Sequence, residues 1–421
     1  MEINSKTFCM HPFTGLATRE DGAIKVCCRS HPIGWITENS LEEIWNNDNI
    51  KRIRKEVLNG SRPTECTPCF KLEDQNVESM RQRHIKGIIP EARINLYSNA
   101  LDALEDDYSM PFEIPTMEIK LNNLCNLKCR MCQPMDSTSW NDWDEIEEFY
   151  KDEPFILERV ETLGLKKKPY LNKFDDNPNW WTSFEKVIPY FRRAEFAGGE
   201  PLMDPQHYQI LDMLARYGEN IELKYATNLS VLGIKNRRNI LDYWPKFKSI
   251  AINVSIDGIG DVYEHIRGNA DWNTLIENIK IIQNVPNVSR IVGSVCVQAG
   301  NIMILDKIIE YFLDDIGIVF YNNRVEYPSV LSAQVLPREL KDLAISRLEA
   351  IKPKIKNFKL VIENPILLNI TLELIQDNIN YLNGIDQSHL WKQYLDFNNR
   401  LDIRRNQKSI IEIIPEFKDY V

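Results

Sequence analysis

A chain of 421 residues with 43% apolar and 27% charged side chains has an ordinary globular composition. Its length exceeds what one hydrophobic core usually supports, so two or three domains are expected. The 51 basic against 61 acidic residues leave a formal charge of −10, which argues against a nucleic-acid partner, since such binding rests on many lysine and arginine contacts to phosphate. No apolar run approaches the ~20 residues needed to span a bilayer. The stretch Met1 to Thr7 also lacks the basic-then-apolar pattern of a signal peptide. A cytoplasmic chain without membrane attachment is expected, and its nine cysteines read as metal or redox ligands before disulfides.

Five of those cysteines fall within residues 1 to about 75. Cys9 precedes a strand predicted over Phe13 to Thr18, Asp21-Gly22 is a strong hairpin signal, and a second strand ends at Cys27. Such a hairpin can bring Cys9 and Cys27 together. Ser40 and Glu43 form a candidate capping box for one helix with apolar positions Leu41, Ile44, Trp45, Ile53 and Val57, stopped by Gly60. Cys66 and Cys69 follow as C-x2-C. Cys9, Cys27, Cys66 and Cys69 compose a candidate closed site, with Cys28 as a spare or a substitute for Cys27. Donor chemistry leaves zinc and iron–sulfur both open, because each accepts four thiolates; in an isolated domain zinc is the plainer choice.

Residues 76 to about 112 read as a charged connecting segment. From Pro115 to Asn122 apolar and polar side chains alternate, which predicts a strand, and the loop after it holds Cys125, Cys129 and Cys132. A closed zinc or iron–sulfur site needs four side-chain ligands. The C-x3-C-x2-C run offers three, with no fourth Cys or His nearby downstream, so one metal position stays open. The loop after a strand is where a β/α barrel keeps its chemistry.

Residues 136 to about 178 form a mixed-charge stretch longer than an ordinary connection. Its Trp140 and Trp143 serve either in a lid or wall, or as anchors of a surface helix; Lys166-Lys167-Lys168 reads as a solvated face. A helix over Trp180 to Phe191 leads to a strand, Arg193 to Ala197, ending in Gly198-Gly199-Glu200-Pro201. The glycines let the backbone approach a ligand, and Glu200 can accept a hydrogen bond from an ammonium group. Further strands at barrel spacing cover Ile221 to Ala226, Ser249 to Ile256 and Val292 to Val297, with a sixth in Ile316 to Tyr321. From Leu336 onward the period is helical, with stretches over Leu340 to Ile351, Ile370 to Leu382 and Leu390 to Leu401 that pack against the barrel. Cys296, alone in an apolar strand, is predicted to be a buried thiol.

The run from Cys125 to Cys132 resembles the cluster loop of radical S-adenosylmethionine (SAM) enzymes. The resemblance implies that Cys125, Cys129 and Cys132 hold a [4Fe-4S] cluster by three irons, while the amino and carboxylate groups of SAM chelate the fourth. It also implies that an electron from the reduced cluster cleaves the S–C5′ bond, giving a 5′-deoxyadenosyl radical that abstracts hydrogen from a substrate. Met131 matches the apolar position near adenine, and Gly198, Gly199, Glu200 and Pro201 match the motif that holds the amino group of SAM. Asn228, Ser255 and Asp257 occupy strand ends that in the family meet ribose and carboxylate. Arg267-Gly268 resembles a downstream Arg-Gly whose guanidinium pairs with the carboxylate.

At the N-terminus, the C-x12-G-x4-C element of Cys9, Gly22 and Cys27, closed by Cys66 and Cys69, is similar to the twitch or SPASM domain that binds an auxiliary [4Fe-4S] cluster. That domain usually follows the core; here it precedes it. The tail, with Leu401-Asp402 and Pro415-Glu416, weakly resembles that of phage and cyanobacterial twitch-type radical SAM proteins.

The implied fold is α/β: an open six-stranded parallel (β/α)6 partial TIM barrel over residues 113–330. A small Cys-rich twitch-like α+β domain over 1–75, a linker over 76–112 and a helical C-terminal extension over 331–421 complete it. The implied cofactors are the SAM-binding [4Fe-4S] cluster, a second auxiliary [4Fe-4S] cluster and SAM. The implied partners are an electron donor such as flavodoxin or ferredoxin, and a substrate. Modification of a peptide or protein side chain is the first expectation, although no separate peptide-leader-binding module is recognisable in the first 110 residues. Dehydrogenation or rearrangement of a small alcohol or sugar is the second, and a zinc-bearing binding protein without radical chemistry the third.

Overall fold

The computed structural model describes residues 6–74, 78–86, 99–151, 153–175, 177–325 and 327–421. Of the connecting segment expected over 76–112, residues 76, 77 and 87–98 lie outside the described residues. The chain divides into two compact units. Met1–Leu124, Tyr170–Tyr225 and Gly233–Ile250 make the first, and Cys125–Pro169, Ala226–Leu232 and Ala251–Val421 the second. Strands Glu222–Thr227 and Ser249–Ser255 carry residues of both. The fold is α/β with a mostly parallel sheet, as expected.

In the first unit the strands run in the order Pro32–Trp35, Ala23–Lys25, Gly15–Thr18, Thr116–Ile119, Arg193–Phe196, Glu222–Thr227. The last four are parallel, with Ala17 opposite Glu118, Glu118 opposite Glu195, and Glu195 opposite Lys224. Side chains alternate across such strands. One face therefore carries this charged row, with Lys224 Nζ 2.7 Å from Glu195. The other face carries buried Met117, Ile119, Ala194, Phe196 and Tyr225, against which helix Pro205–Leu214 packs through His207, 4.5 Å from the Phe196 ring.

The N-terminal hairpin forms as the Asp21-Gly22 signal predicts: Gly22 takes φ +89° and Asp21 Oδ1 accepts the Ala23 N–H at 3.2 Å. Three details differ from expectation. Residues His11–Thr14 form a helical turn started by Pro12, so the strand begins only at Gly15. Its parallel pairing with Thr116–Ile119 extends the parallel sheet by the hairpin. The helix expected from Leu41 to Val57 is two helices, Leu41–Trp45 and Asp48–Asn59. The Ser40–Glu43 capping box forms, but Asn47 turns extended and its side chain accepts the Ile50 N–H, starting the second helix. The break leaves Asn46 and the Trp45 carbonyl facing Arg54. This fully buried guanidinium bonds both of them and the carbonyls of Pro12 and Tyr108, at 2.9–3.1 Å.

In the second unit Ser249–Ser255 neighbours Val288–Val297, which pairs in parallel with Val319–Arg324. The sixth strand starts three residues later than predicted. A wide helical turn over Tyr311–Asp315 and Gly317 at φ +65° occupy the intervening chain. Helices Arg338–Ile351, Ile366–Leu382 and Trp391–Arg405 form the C-terminal part. Among the described residues, no helix is long and apolar enough to cross a membrane.

Candidate functional site

Two residues of the cysteine loop, Lys128 and Cys129, form a short antiparallel pair with Gly268 and Arg267. A Cβ at Gly268 would lie 2.9 Å from the Lys128 carbonyl oxygen, so this close pairing needs glycine. The stretch after the loop holds it from the other side. The hydroxyls of Thr138 and Ser139 donate to the Cys125 carbonyl at 3.1 and 2.9 Å, and Thr138 Oγ1 accepts the Cys125 N–H at 3.2 Å. Trp140 Nε1 donates to the Cys129 carbonyl at 3.2 Å and the Tyr150 hydroxyl to that of Cys132 at 2.9 Å. Trp140 is 1% exposed; it is a core residue beneath the loop, neither lid nor surface anchor. The hydroxyl run Ser137-Thr138-Ser139 was the available signal, since short hydroxyl side chains bond backbone locally.

Cys129 is buried, and Cys125 and Cys132 are half-buried. Donors face two of the sulfurs. The Leu127 N–H and Asn228 Nδ2 lie 3.4 and 3.6 Å from Cys125 Sγ, and Arg267 Nη1 lies 3.7 Å from Cys129 Sγ. A hydrogen bond from Cys132 and, secondarily, the Arg267 guanidinium hold the Cys129 thiol below its ordinary value; the same hydrogen bond and burial push Cys132 up. Thiols with N–H groups aimed at sulfur fit a thiolate-ligated iron–sulfur cluster, whose properties those contacts tune. Among the described residues, no three His, Cys, Asp or Glu side chains stand ready to hold a single metal ion.

Behind Cys129, Arg267 Nε pairs with Asp257 Oδ2 at 2.7 Å, both deeply buried. Asp257 Oδ1 accepts the Cys296 N–H at 2.6 Å. Cys296 is half-buried rather than buried, and burial pushes its thiol up to about 12, in the field of Asp257, Arg267 and Cys129. It belongs to this polar group, not to the apolar core. Asn228 Nδ2 donates to Asn126 Oδ1 at 3.3 Å, and its own Oδ1 accepts from Ser230 at 2.6 Å. Sequence reasoning had singled out neither Asn126 nor Ser230. The second unit thus gathers Cys125, Cys129, Cys132, Asn228, Asp257 and Arg267; Met131 and Ser255 are half-buried.

In the first unit, Gly198 has φ +144°, and a Cβ on Gly199 would stand 2.2 Å from the Leu124 carbonyl oxygen. The Glu200 N–H donates to that same oxygen at 2.6 Å. The Glu200 carboxylate, 1% exposed, accepts the Leu202 N–H at 3.0 Å and caps the turn begun by buried Pro201. The motif is therefore built onto the residue that precedes Cys125.

Also in the first unit, Cys9 and Cys69 are buried and Cys27 and Cys66 half-buried. Burial pushes the thiols of Cys9, Cys27 and Cys66 up to about 12, each raised further by its neighbours in the group. Cys28 points elsewhere, 3.8 Å from Met80 Sδ and beside Glu118.

Residues 119–294 match the family model of the radical SAM superfamily, and residues 9–70 match that of an iron–sulfur cluster-binding domain, SPASM. GTP 3′,8-cyclase of Microcystis aeruginosa is 26% identical over 178 residues, 41% of this chain and 45% of the cyclase. The chain thus spans about half the length of the curated relative it matches. Among solved structures, Streptococcus suis SuiB bound to S-adenosylmethionine is 15% identical, with a TM-score of 0.35, covering 71% of this chain and 62% of SuiB. Another, anSMEcpe with bound AdoMet and Cp18Cys peptide, is 15% identical, with a TM-score of 0.36, covering 57% and 61%. The two matched domains imply [4Fe-4S] clusters and SAM as cofactors. The chain carries a radical SAM domain over residues 119–294 and, ahead of it, an iron–sulfur cluster-binding domain of the SPASM type over residues 9–70, the make-up of an iron–sulfur enzyme.

Proposed function

We propose that Cys125, Cys129 and Cys132 ligate the SAM-binding [4Fe-4S] cluster, and that Cys9, Cys27, Cys66 and Cys69 ligate an auxiliary one. Met131, Gly198, Gly199, Glu200, Pro201, Asn228, Ser255, Asp257 and Arg267 are the residues assigned to SAM. When bound, the reduced cluster supplies one electron, from a donor such as flavodoxin or ferredoxin, that splits SAM into methionine and a 5′-deoxyadenosyl radical able to take hydrogen from a substrate. The observation that carries this reading is the trio of thiols on one loop with N–H donors 3.4–3.7 Å from two of its sulfurs. The protein's own part is to hold that loop through Thr138, Ser139, Trp140 and Tyr150, to set the field at Cys129 through Arg267, and to keep water from the buried Asp257–Arg267 pair.

The substrate we assign is a peptide or protein side chain. Its support is the SPASM-type domain, whose relatives use an auxiliary cluster to anchor a substrate or to accept its electron. A small-molecule substrate is the second reading, favoured by the match to a cyclase that acts on GTP.

Anaerobic purification, iron and sulfide counting, and incubation with SAM and a strong reductant test the proposal. About eight irons per chain and 5′-deoxyadenosine that disappears in Cys129→Ala are expected. About four irons would return the N-terminal site to zinc, and no 5′-deoxyadenosine from iron-loaded protein would overturn the radical reading.

A further inference from the structure

The helix Trp391–Arg405 reaches the cysteine loop with side chains that none of the cofactor assignments uses. Arg130, between Cys129 and Met131, is 1% exposed. Its Nε donates to the His265 carbonyl at 2.9 Å and its Nη1 to Asn398 Oδ1 at 2.9 Å. Its Nη2 donates to Gln407 Oε1 at 3.0 Å and to Asp402. Asp402 in turn meets His265 Nε2 at 2.8 Å and the Ile410 N–H at 3.0 Å.

Two residues earlier, the Lys128 carbonyl accepts from Arg405 Nη1 at 2.9 Å. Arg405 Nε bonds Glu145 at 2.7 Å, and the same Glu145 pairs with the Lys128 ammonium. The Arg405 guanidinium lies 4.6 Å over the ring of Trp140, whose indole N–H holds the Cys129 carbonyl. A buried ion pair contributes little net stability compared with well-packed apolar residues, so its presence here suits the fixing of one geometry. A guanidinium with directional donors is well shaped for that.

We propose that the helix Trp391–Arg405 is a clamp for the cysteine loop. In it Arg130, Asp402 and Arg405 are positioning residues that hold backbone 128–130 in the shape in which Cys125, Cys129 and Cys132 receive their cluster. This rests on the reading of those three cysteines as ligands. Groups that orient metal ligands typically change metal affinity about 10–100-fold when altered. A role in general stability alone would act on both cluster sites alike.

The test uses the full chain, reconstituted anaerobically with iron and sulfide and then challenged with an iron chelator. Iron release and the electron paramagnetic resonance signal, with and without SAM, are followed beside a thermal melt. Asp402→Asn and Arg405→Gln should release loop-site iron at least about tenfold faster and alter the SAM-responsive signal. Auxiliary-site iron, measured with Cys125, Cys129 and Cys132 replaced by Ala, should leave at the wild-type rate. Lys408→Ala, on an exposed side chain paired with Asp261, should change nothing.

Wild-type release from the loop site in folded variants overturns the clamp, and so does equal acceleration at both sites. Should Asp402→Asn fail to fold, Arg405→Gln decides alone. If Cys129→Ala leaves the iron count of the otherwise unaltered chain unchanged, the ligand reading falls, and the clamp with it.

Discussion

A methyl group at position 199 would lie 2.2 Å from the Leu124 carbonyl oxygen, 2.5 Å from its carbon and 2.7 Å from the Asn123 carbonyl carbon. All three are backbone atoms, so no side-chain rotation relieves the overlap. The Leu124 oxygen also accepts the Glu200 N–H at 2.6 Å. Gly199→Ala must therefore displace either the end of the 193–196 strand or the chain entering the cysteine loop. Overpacking by one carbon costs about 1–3 kcal/mol, and with backbone on every side the upper value, about 3 kcal/mol, applies. For a cooperative unit of this size that is a fall of about 6–12 °C in melting temperature. Gly60→Ala is the control: Gly60 has φ +86° with nothing within 4 Å, so only backbone strain is added, about 1 kcal/mol or about 2–4 °C. Circular dichroism melts, anaerobic iron counts and equilibrium SAM binding read the outcome. If Gly199→Ala melts with Gly60→Ala and keeps wild-type SAM affinity, the close approach has no consequence and the reasoning fails.

Cys27→Ser should lose the auxiliary iron, while Cys28→Ser, whose sulfur faces Met80 and Glu118, should keep it; iron counts that fall equally would refute this sorting. Arg54→Met strands the carbonyls of Pro12, Trp45 and Tyr108 and should cost about 4 kcal/mol, read by urea unfolding; a loss under about 1 kcal/mol contradicts it. In the metal-free chain, burial raises Cys9, Cys27 and Cys66 from 9.0 to about 12. The folded state then holds those protons more tightly than the unfolded chain. That contribution is complete below pH 9 and is lost as the pH climbs to about 12. The metal-free protein should therefore melt progressively lower above pH 9 and the loaded protein much less so; a flat metal-free profile would count against it.

Local chemistry was legible in the sequence. The Ser40–Glu43 capping box, the Asp21-Gly22 hairpin and the alternating strand at Thr116–Ile119 all form where residues a few positions apart decide the outcome. What escaped depends on distant partners. The helix break at Asn47 serves Arg54, whose other acceptors lie at Pro12 and Tyr108. The parallel pairing of Gly15–Thr18 with Thr116–Ile119 joins strands about a hundred residues apart and leaves no local mark. At the candidate site the spacing of the three cysteines and the Gly-Gly-Glu-Pro run stood out by themselves. Arg130 was not singled out, because its acceptors come from His265, Asn398, Asp402 and Gln407, far along the chain. Cys296 looked like a core thiol because its strand is apolar, whereas the carboxylate beside it comes from the end of another strand.

Asp402 follows Arg130 by 272 positions. At synthesis rates of about 5–20 residues per second, a ribosome needs about 14–54 s to travel between them. Throughout that interval three neighbouring thiols have emerged while the far wall of their cradle is still untranslated. A premature stop between Cys296 and Asn398 would therefore leave a polypeptide with every cysteine present and, of the acceptors of Arg130, only the His265 carbonyl.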